Sequence, residues 1–221
     1  YIGNATAGQT IPHHLGVTPS MVIVKNIDAT TGDTNWSVLH KIHFGTNDHL
    51  YFNLSNAKDS NASRFNGTAP TSSNFTLGGA DAVNKNDSDH IAYIFAEKKG
   101  YSKIGSYTGN GNADGTFVYT GFKPAFVLNK LISGTTANWS IVDNKRDNNF
   151  NPNVRLFPDL SNAESSTDAV DLLSNGFKWR LTSDTNNGNY SYIYMAFAEN
   201  PFVTSTGIPT TARWLCSYSL T

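Results

Sequence analysis

Apolar residues come in runs of four to eight, each closed off by Gly, Asn, Asp, Pro or Thr. No window of twelve residues sustains the i, i+3, i+4, i+7 stripe of an amphipathic helix. The runs predict strands at Met21–Lys25, Trp36–His40, Leu50–Asn53, Phe75–Leu77 and His90–Glu97. A second series is predicted at Phe126–Lys130, Trp139–Asp143, Val154–Phe157, Phe177–Leu181 and Tyr190–Glu199. Val, Ile, Tyr, Phe and Trp dominate them, as in the strands of a sandwich or barrel. In the last run Tyr190, Tyr192, Tyr194 and Ala196 alternate with Ile193, Met195 and Phe197. A strand apolar on both faces lies between two packed layers. Asn175-Gly176 is read as a two-residue type I′ turn between Val170–Ser174 and Phe177–Leu181.

The two series are related. Tyr1-Ile2-Gly3-Asn4 returns as Tyr107-Thr108-Gly109-Asn110, and Gly16–Val22 returns as Gly121–Val127. Asn35-Trp36-Ser37-Val38 matches Asn138-Trp139-Ser140-Ile141, and Leu54-Ser55-Asn56-Ala57 matches Leu160-Ser161-Asn162-Ala163. Ile91–Glu97 matches Ile193–Glu199. The matches keep their order, and words such as Asn-Trp-Ser are not generic strand vocabulary. A repeat this long implies whole domains, since solenoid units recur every 20–50 residues or so. The expected organisation is all-β: two tandem similar β-sandwich domains of the lectin-like jelly-roll kind. The first repeat occupies residues 1–100; the second, with a C-terminal tail, occupies 101–221.

Composition narrows the chemistry. Charged residues are 15% of the 221 and the net charge is −1. Polarity comes instead from Ser, Thr, Gly and 26 asparagines, a surface suited to sugars or other protein chains. No Lys/Arg cluster could neutralise a row of phosphates, so no nucleic-acid partner is expected. No apolar run approaches a membrane span, so no membrane insertion is expected. A single cysteine, Cys216, leaves no intrachain disulfide and no Cys-based metal site. The chain opens on Tyr1 and reads as a piece or processed product of something longer.

Catalytic patterns fail one by one. Gly109-x-Gly111-x-x-x-Gly115 has one residue too many for a dinucleotide loop, and no helix follows it. The Gly100–Ile104 stretch lacks the second glycine of a nucleophile elbow. Glu97 and Glu199 are repeat equivalents at strand ends, poorly suited to converge as an acid–base pair. His13-His14 and His40-x-x-His43 have odd spacings that send strand side chains to opposite faces. The loops 84–89 and 143–153 could hold a calcium ion through oxygen ligands, but solvated turns are the plainer reading. Neither an enzyme, nor a cofactor, nor a metal site is expected. Trp36 and Trp139 are expected in the core, with sugar stacking as the alternative role.

Several of these words together resemble a module of marine bacteriophage virion proteins described as tail-fibre, tail-spike or structural proteins. They are Gly-Phe-Lys-Pro-Ala-Phe-Val (121–127), Asn-Trp-Ser (138–140), Leu-Ser-Asn-Gly-Phe-Lys (173–178) and Tyr-Met-Ala-Phe-Ala-Glu-Asn-Pro-Phe (194–202). Residues 6–17 are similar to the start of that module and 207–213 to its finish, while Trp214–Thr221 departs from it, as a tail that would dock on a neighbour. The resemblance implies a virion surface protein meeting other virion subunits, a homo-oligomer, and a trimer in a tail fibre. Its function would be recognition of a host-surface glycan. The alternatives are capsid decoration or another architectural role, and a secreted carbohydrate-binding module. On the residues themselves, the loops after the Trp strands, Lys41–His49 and Asp143–Asn153, are candidates for ligand binding, through Asn47, Asp48, His49, Asn148, Asn149 and Asn151.

Overall fold

A computed structural model describes residues 1–28, 30, 32–146, 154–166 and 169–201. Over these residues the fold is all-β, built from antiparallel sheets with two four-residue α-helices. In chain order the first half carries β1 (Thr10–Pro12), β2 (Met21–Asn26), β3 (Ser37–His40), β4 (Asp48–Tyr51) and β5 (Asp59–Ser60). Then come α1 (Ala62–Phe65), β6 (Asn74–Thr76), α2 (Asp81–Asn84) and β7 (His90–Phe95). The second half carries β8 (Ser102–Thr108), β9 (Phe117–Tyr119), β10 (Pro124–Leu131), β11 (Ser140–Asp143) and β12 (Val154–Leu156). It ends with β13 (Ser165–Ser166), β14 (Val170–Leu173), β15 (Gly176–Trp179) and β16 (Ser191–Ala198).

The larger sheets run β5-β4-β3-β2-β7 and β13-β12-β11-β10-β16-β8. Each is a meander of four consecutive strands with the half's last strand laid beside the first of the four. That order differs from the expected jelly roll, which interleaves strands from both ends of its unit. A ribbon β1-β6 and a sheet β14-β15-β9 complete the set.

Three apolar clusters stack these layers. Val22, Val24 and Leu39 meet Phe65, Phe75, Leu77 and Val83 beneath β1-β6 and the helices. Val127, Val142, Tyr192, Tyr194 and Ala196 meet Val118, Val170, Phe177 and Trp179 beneath β14-β15-β9. The third cluster lies between the halves, where Met21, Ile23, Val38 and Leu50 pack on Ile104, Leu128, Trp139, Ile193 and Met195. Strand alternation thus loads both large sheets on both faces. In β16 the tyrosines and Ala196 serve one core, and Ile193, Met195 and Phe197 the other.

The hairpin register departs from the turn read in the sequence. Leu173 pairs with Gly176 and Val170 with Trp179, so the turn residues are Ser174 and Asn175. Gly176 stands inside β15, opposite Tyr119 of β9. Any Cβ there would lie 2.2 Å from the Val118 carbonyl oxygen. Glycine is needed for close backbone approach, not for a positive φ.

A buried lysine joins the halves. Lys130 Nζ donates to the Ser55 carbonyl at 2.8 Å and to that of Ala137. Lys25, its repeat equivalent, donates to Thr34, the equivalent of Ala137. Desolvation pushes the Lys130 pKa down to about 8. Between pH 8 and 10 the folded chain has released this proton while the unfolded chain still holds it. Stability should therefore rise with pH across that window, by about 2 kcal/mol from this group, and lose that gain in Lys130→Met. Urea denaturation at pH 7.5, 9 and 10 checks both. Above pH 10 the slope should reverse, because burial holds Tyr192 and Tyr194 near 12 in the fold.

Candidate functional site

Apolar residues gather on the outer face of the three-stranded sheet. Register puts Tyr119, Gly176 and Leu173 in one row and Phe117, Lys178 and Asp171 in the next. The opposite face carries Val118, Phe177, Leu172 and Trp179 into the core. Tyr119 is 64% exposed and Phe117 44%. The Phe117 ring reaches over bare Gly176, its Cε2 2.9 Å from where a Cβ would sit. The Tyr119 hydroxyl end lies likewise beside Gly121. Two rings lying over glycines make a low apolar platform that any side chain at Gly176 would break.

Charge borders the platform as a chain of ion pairs. Asp114 binds Lys178 at 2.5 Å and Arg180 at 3.3 Å, and Arg180 turns its Nε to Asp171 at 2.6 Å. The Lys178 ammonium holds the Asp114 carboxyl below its ordinary range. Asp114 is positioned by its own turn, in which its N–H donates to the Asn112 side chain at 2.9 Å. The rim offers both donors and carboxylate acceptors beside an apolar surface, with little net charge.

The other half lacks this face. Phe75 and Phe177, both fully buried, pair with Ile11 and Val118. Thr10 and Pro12 therefore stand where Phe117 and Tyr119 do, and Asn74 where Gly176 does. The residues beneath are shared framework; those on top differ.

Residues 1–201 match a family described as a domain of unknown function, DUF7483. The chain belongs to that family. No curated protein and no solved structure matches it. The match to DUF7483 runs across both halves and the core between them.

Within this DUF7483 chain the residues proposed from sequence are placed as follows. Asn47 is exposed, after a 3₁₀ turn at Lys41–His43, and its carbonyl accepts from Asn61 N–H at 2.8 Å. Asp48 opens β4 and pairs with Lys58 at 2.5 Å, with His43 Nδ1 at 3.8 Å. His49 is buried, contrary to the exposed loop expected, because β4 begins at Asp48 and turns the imidazole inward. Desolvation lowers the pKa of His43 and His49, and that of His40 to about 3, so these imidazoles are neutral. Asn148, Asn149 and Asn151 lie outside the described residues.

Glu97 is tied to Lys41 at 2.8 Å and Lys103 at 3.1 Å; Glu199 is tied to Lys123 at 2.8 Å. The Lys123 bond holds Glu199 below the usual carboxylate range, the wrong direction for a general acid at neutral pH. Among the described residues no three His, Cys, Asp or Glu side chains converge as for a metal. Trp139 is in the core between the halves, and Trp36 is half-buried against Phe52 and Tyr93. The platform was missed because β9 is only three residues long. The available signal was Phe117-Val118-Tyr119, apolar at all three positions between Gly115 and Gly121.

Proposed function

We propose that this chain is a non-catalytic, glycan-binding surface module of a bacteriophage particle, a tandem copy of one β-sandwich unit whose halves have joined face to face. The observation that carries the binding role is the Phe117–Tyr119 platform with its rim of Lys178, Asp114, Arg180 and Asp171. A pyranose has one face of C–H groups and an edge of hydroxyls. The rings match the first, and paired carboxylates and cations match the second. A protein partner would need a wider apolar area than two rings and Leu173 supply. The virion setting is supported by the resemblance of the sequence and by its amide- and hydroxyl-rich surface. In that setting the chain would meet other virion subunits as a homo-oligomer, a trimer in a fibre.

The test is binding of the purified chain to host cells and to an array of surface glycans. Tyr119→Ala is expected to weaken binding about tenfold, equivalent to ~1.4 kcal/mol, with the melting temperature unchanged because the ring is mostly in water. Phe117→Ala should act in the same direction. Undiminished binding in the double variant would remove the platform from the account.

A further inference from the structure

We infer that a second site, inside the second half, takes a small carboxylate bearing a neighbouring hydroxyl, held by Arg155. A cavity of about 90 Å³ is lined by Asn129, Ser140, Arg155, Asp184 and Thr185, with Leu131, Ala137 and Phe157 as apolar wall. It lies between the outer face of the six-stranded sheet and the chain around Thr185. Arg155 is 4% exposed, and its guanidinium stands over the Phe157 ring at 5.3 Å. Among the described residues its one ion pair runs from Nη2 to Asp184 at 3.3 Å, and that carboxylate is itself 61% exposed. Arg155 Nε and Nη1, Ser140 Oγ, Thr185 Oγ1 and Asn129 Oδ1 are all buried and bond to nothing among the described residues.

A buried guanidinium with free N–H groups and a single solvated partner is costly, and an anionic oxygen offsets that cost best. Ser140 and Thr185 add hydroxyl donors. Asn129 is different, since its Nδ2 donates to Tyr107 Oη at 3.1 Å and the Tyr107 hydroxyl donates onward to the Thr185 carbonyl. That chain fixes Oδ1 as an acceptor, which requires a donor on the ligand. A carboxylate beside a hydroxyl supplies both. The volume holds about three water molecules at ~30 Å³ each, enough for the acid end of a small molecule.

The first half provides a control built on the same frame. Ser37, the equivalent of Ser140, accepts from Arg64 Nη1 at 3.1 Å, and Arg64 pairs with Asp33. Val24 stands where Asn129 does, and the pairing Val38–Leu50 against Ile141–Leu156 sets His49 where Arg155 does. There the space is filled by Phe65 and Arg64 from α1, and Ser37 is satisfied. Among the described residues the second half has no such helix, and its polar groups line a cavity. This site is separate from the aromatic platform, so either can fail without the other.

Titration calorimetry of the whole chain with sodium acetate and sodium glycolate, at ionic strength matched with sodium chloride, tests the site. Saturable binding of both acids is expected, tighter for glycolate. Arg155→Gln should weaken both at least tenfold. Asn129→Val, which installs the first half's residue and removes no charge, should abolish the preference for glycolate even where Arg155→Gln fails to fold. A uronic-acid oligosaccharide that binds tenfold more tightly than glycolate identifies a glycan's acid group as the source; parity identifies a free hydroxy acid. Absence of saturable binding, isotherms unchanged in Arg155→Gln, or a glycolate preference that survives Asn129→Val would overturn the proposal.

Discussion

Trp139→Ala is expected to destabilise the chain by about 4 kcal/mol and lower its melting temperature by roughly 10 °C. Trp139 is buried in the cluster between the halves, edge-on to Phe52 at 5.0 Å. Its indole N–H donates to the Tyr51 carbonyl at 2.7 Å, and its backbone N–H to Asp159 Oδ1 at 3.1 Å. Truncation leaves a cavity bounded by two sheets that cannot both collapse into it, and it orphans the Tyr51 carbonyl. Trp36 is the internal comparison. It keeps the equivalent backbone bond, to Asn53 Oδ1 at 2.9 Å, but is only half-buried, so Trp36→Ala should cost about 1–2 kcal/mol. Chemical denaturation followed by circular dichroism measures both. Because Met21, Ile23 and Val38 share the core with Trp139, the two halves should melt in one transition. A variant with two resolved transitions would mean that each half is stable without the other.

What could be read from the sequence was whatever local periodicity controls. β2, β7, β10 and β16 carry apolar runs that locate them to within a few residues, whereas β8, seven residues long, was not predicted because Ser102, Gly105 and Ser106 interrupt its apolar pattern. Period-two alternation likewise places Ile193 and Tyr194 in different cores. The short strands were harder to see. β1 and β9 have three residues each and take their identity from the partner across the sheet. Gly176 carried a genuine turn signal beside Asn175, but the contact that decides its place is the Val118 carbonyl, 58 positions earlier (176 − 118). The Arg155 cavity was equally illegible. It depends on Asn129, Ser140 and Thr185, which only the finished sheet and its covering chain bring together. Repetition marks framework, since Phe75/Phe177 and Trp36/Trp139 match in both halves. The residues that distinguish the halves, Phe117, Tyr119, Asn129 and Arg155, form the binding surfaces proposed above.

The same logic singles out a framework pair that no strand pattern contains. Asn84 and Asn186 are both fully buried at equivalent places before the last strand of each half. Asn84 accepts from Asn4 N–H at 2.9 Å and donates to the carbonyls of Thr6 and Gly78 at 3.0 and 2.9 Å. Asn186 accepts from Asn110 N–H at 3.1 Å and donates to Asn112, Leu181 and Asn110 Oδ1 at 2.8–2.9 Å. Each amide thus ties the opening segment of its half to the turn before its last strand. Beside it, Gly3 and Gly109 pass so close to the backbone that a Cβ would fall 2.1 and 2.2 Å from the carbonyl oxygens of Lys85 and Asn187. Asn186→Ala removes one acceptor and two N–H donors and strands several buried partners. At about 1 kcal/mol per bond, with a further penalty for each orphaned group, the expected loss is about 3–5 kcal/mol. Asn84→Ala should cost somewhat less, for it makes fewer bonds. Asn186→Asp should be nearly as damaging as alanine at pH 7, since a carboxylate cannot donate to the Asn112 and Leu181 carbonyls. It should recover part of the loss as pH falls and the acid protonates. Urea midpoints at pH 7 and pH 4, each relative to the parent chain at the same pH, decide this. A loss below about 1 kcal/mol in Asn186→Ala would mean that water replaces the amide and that the opening segment is held by its backbone pairing alone.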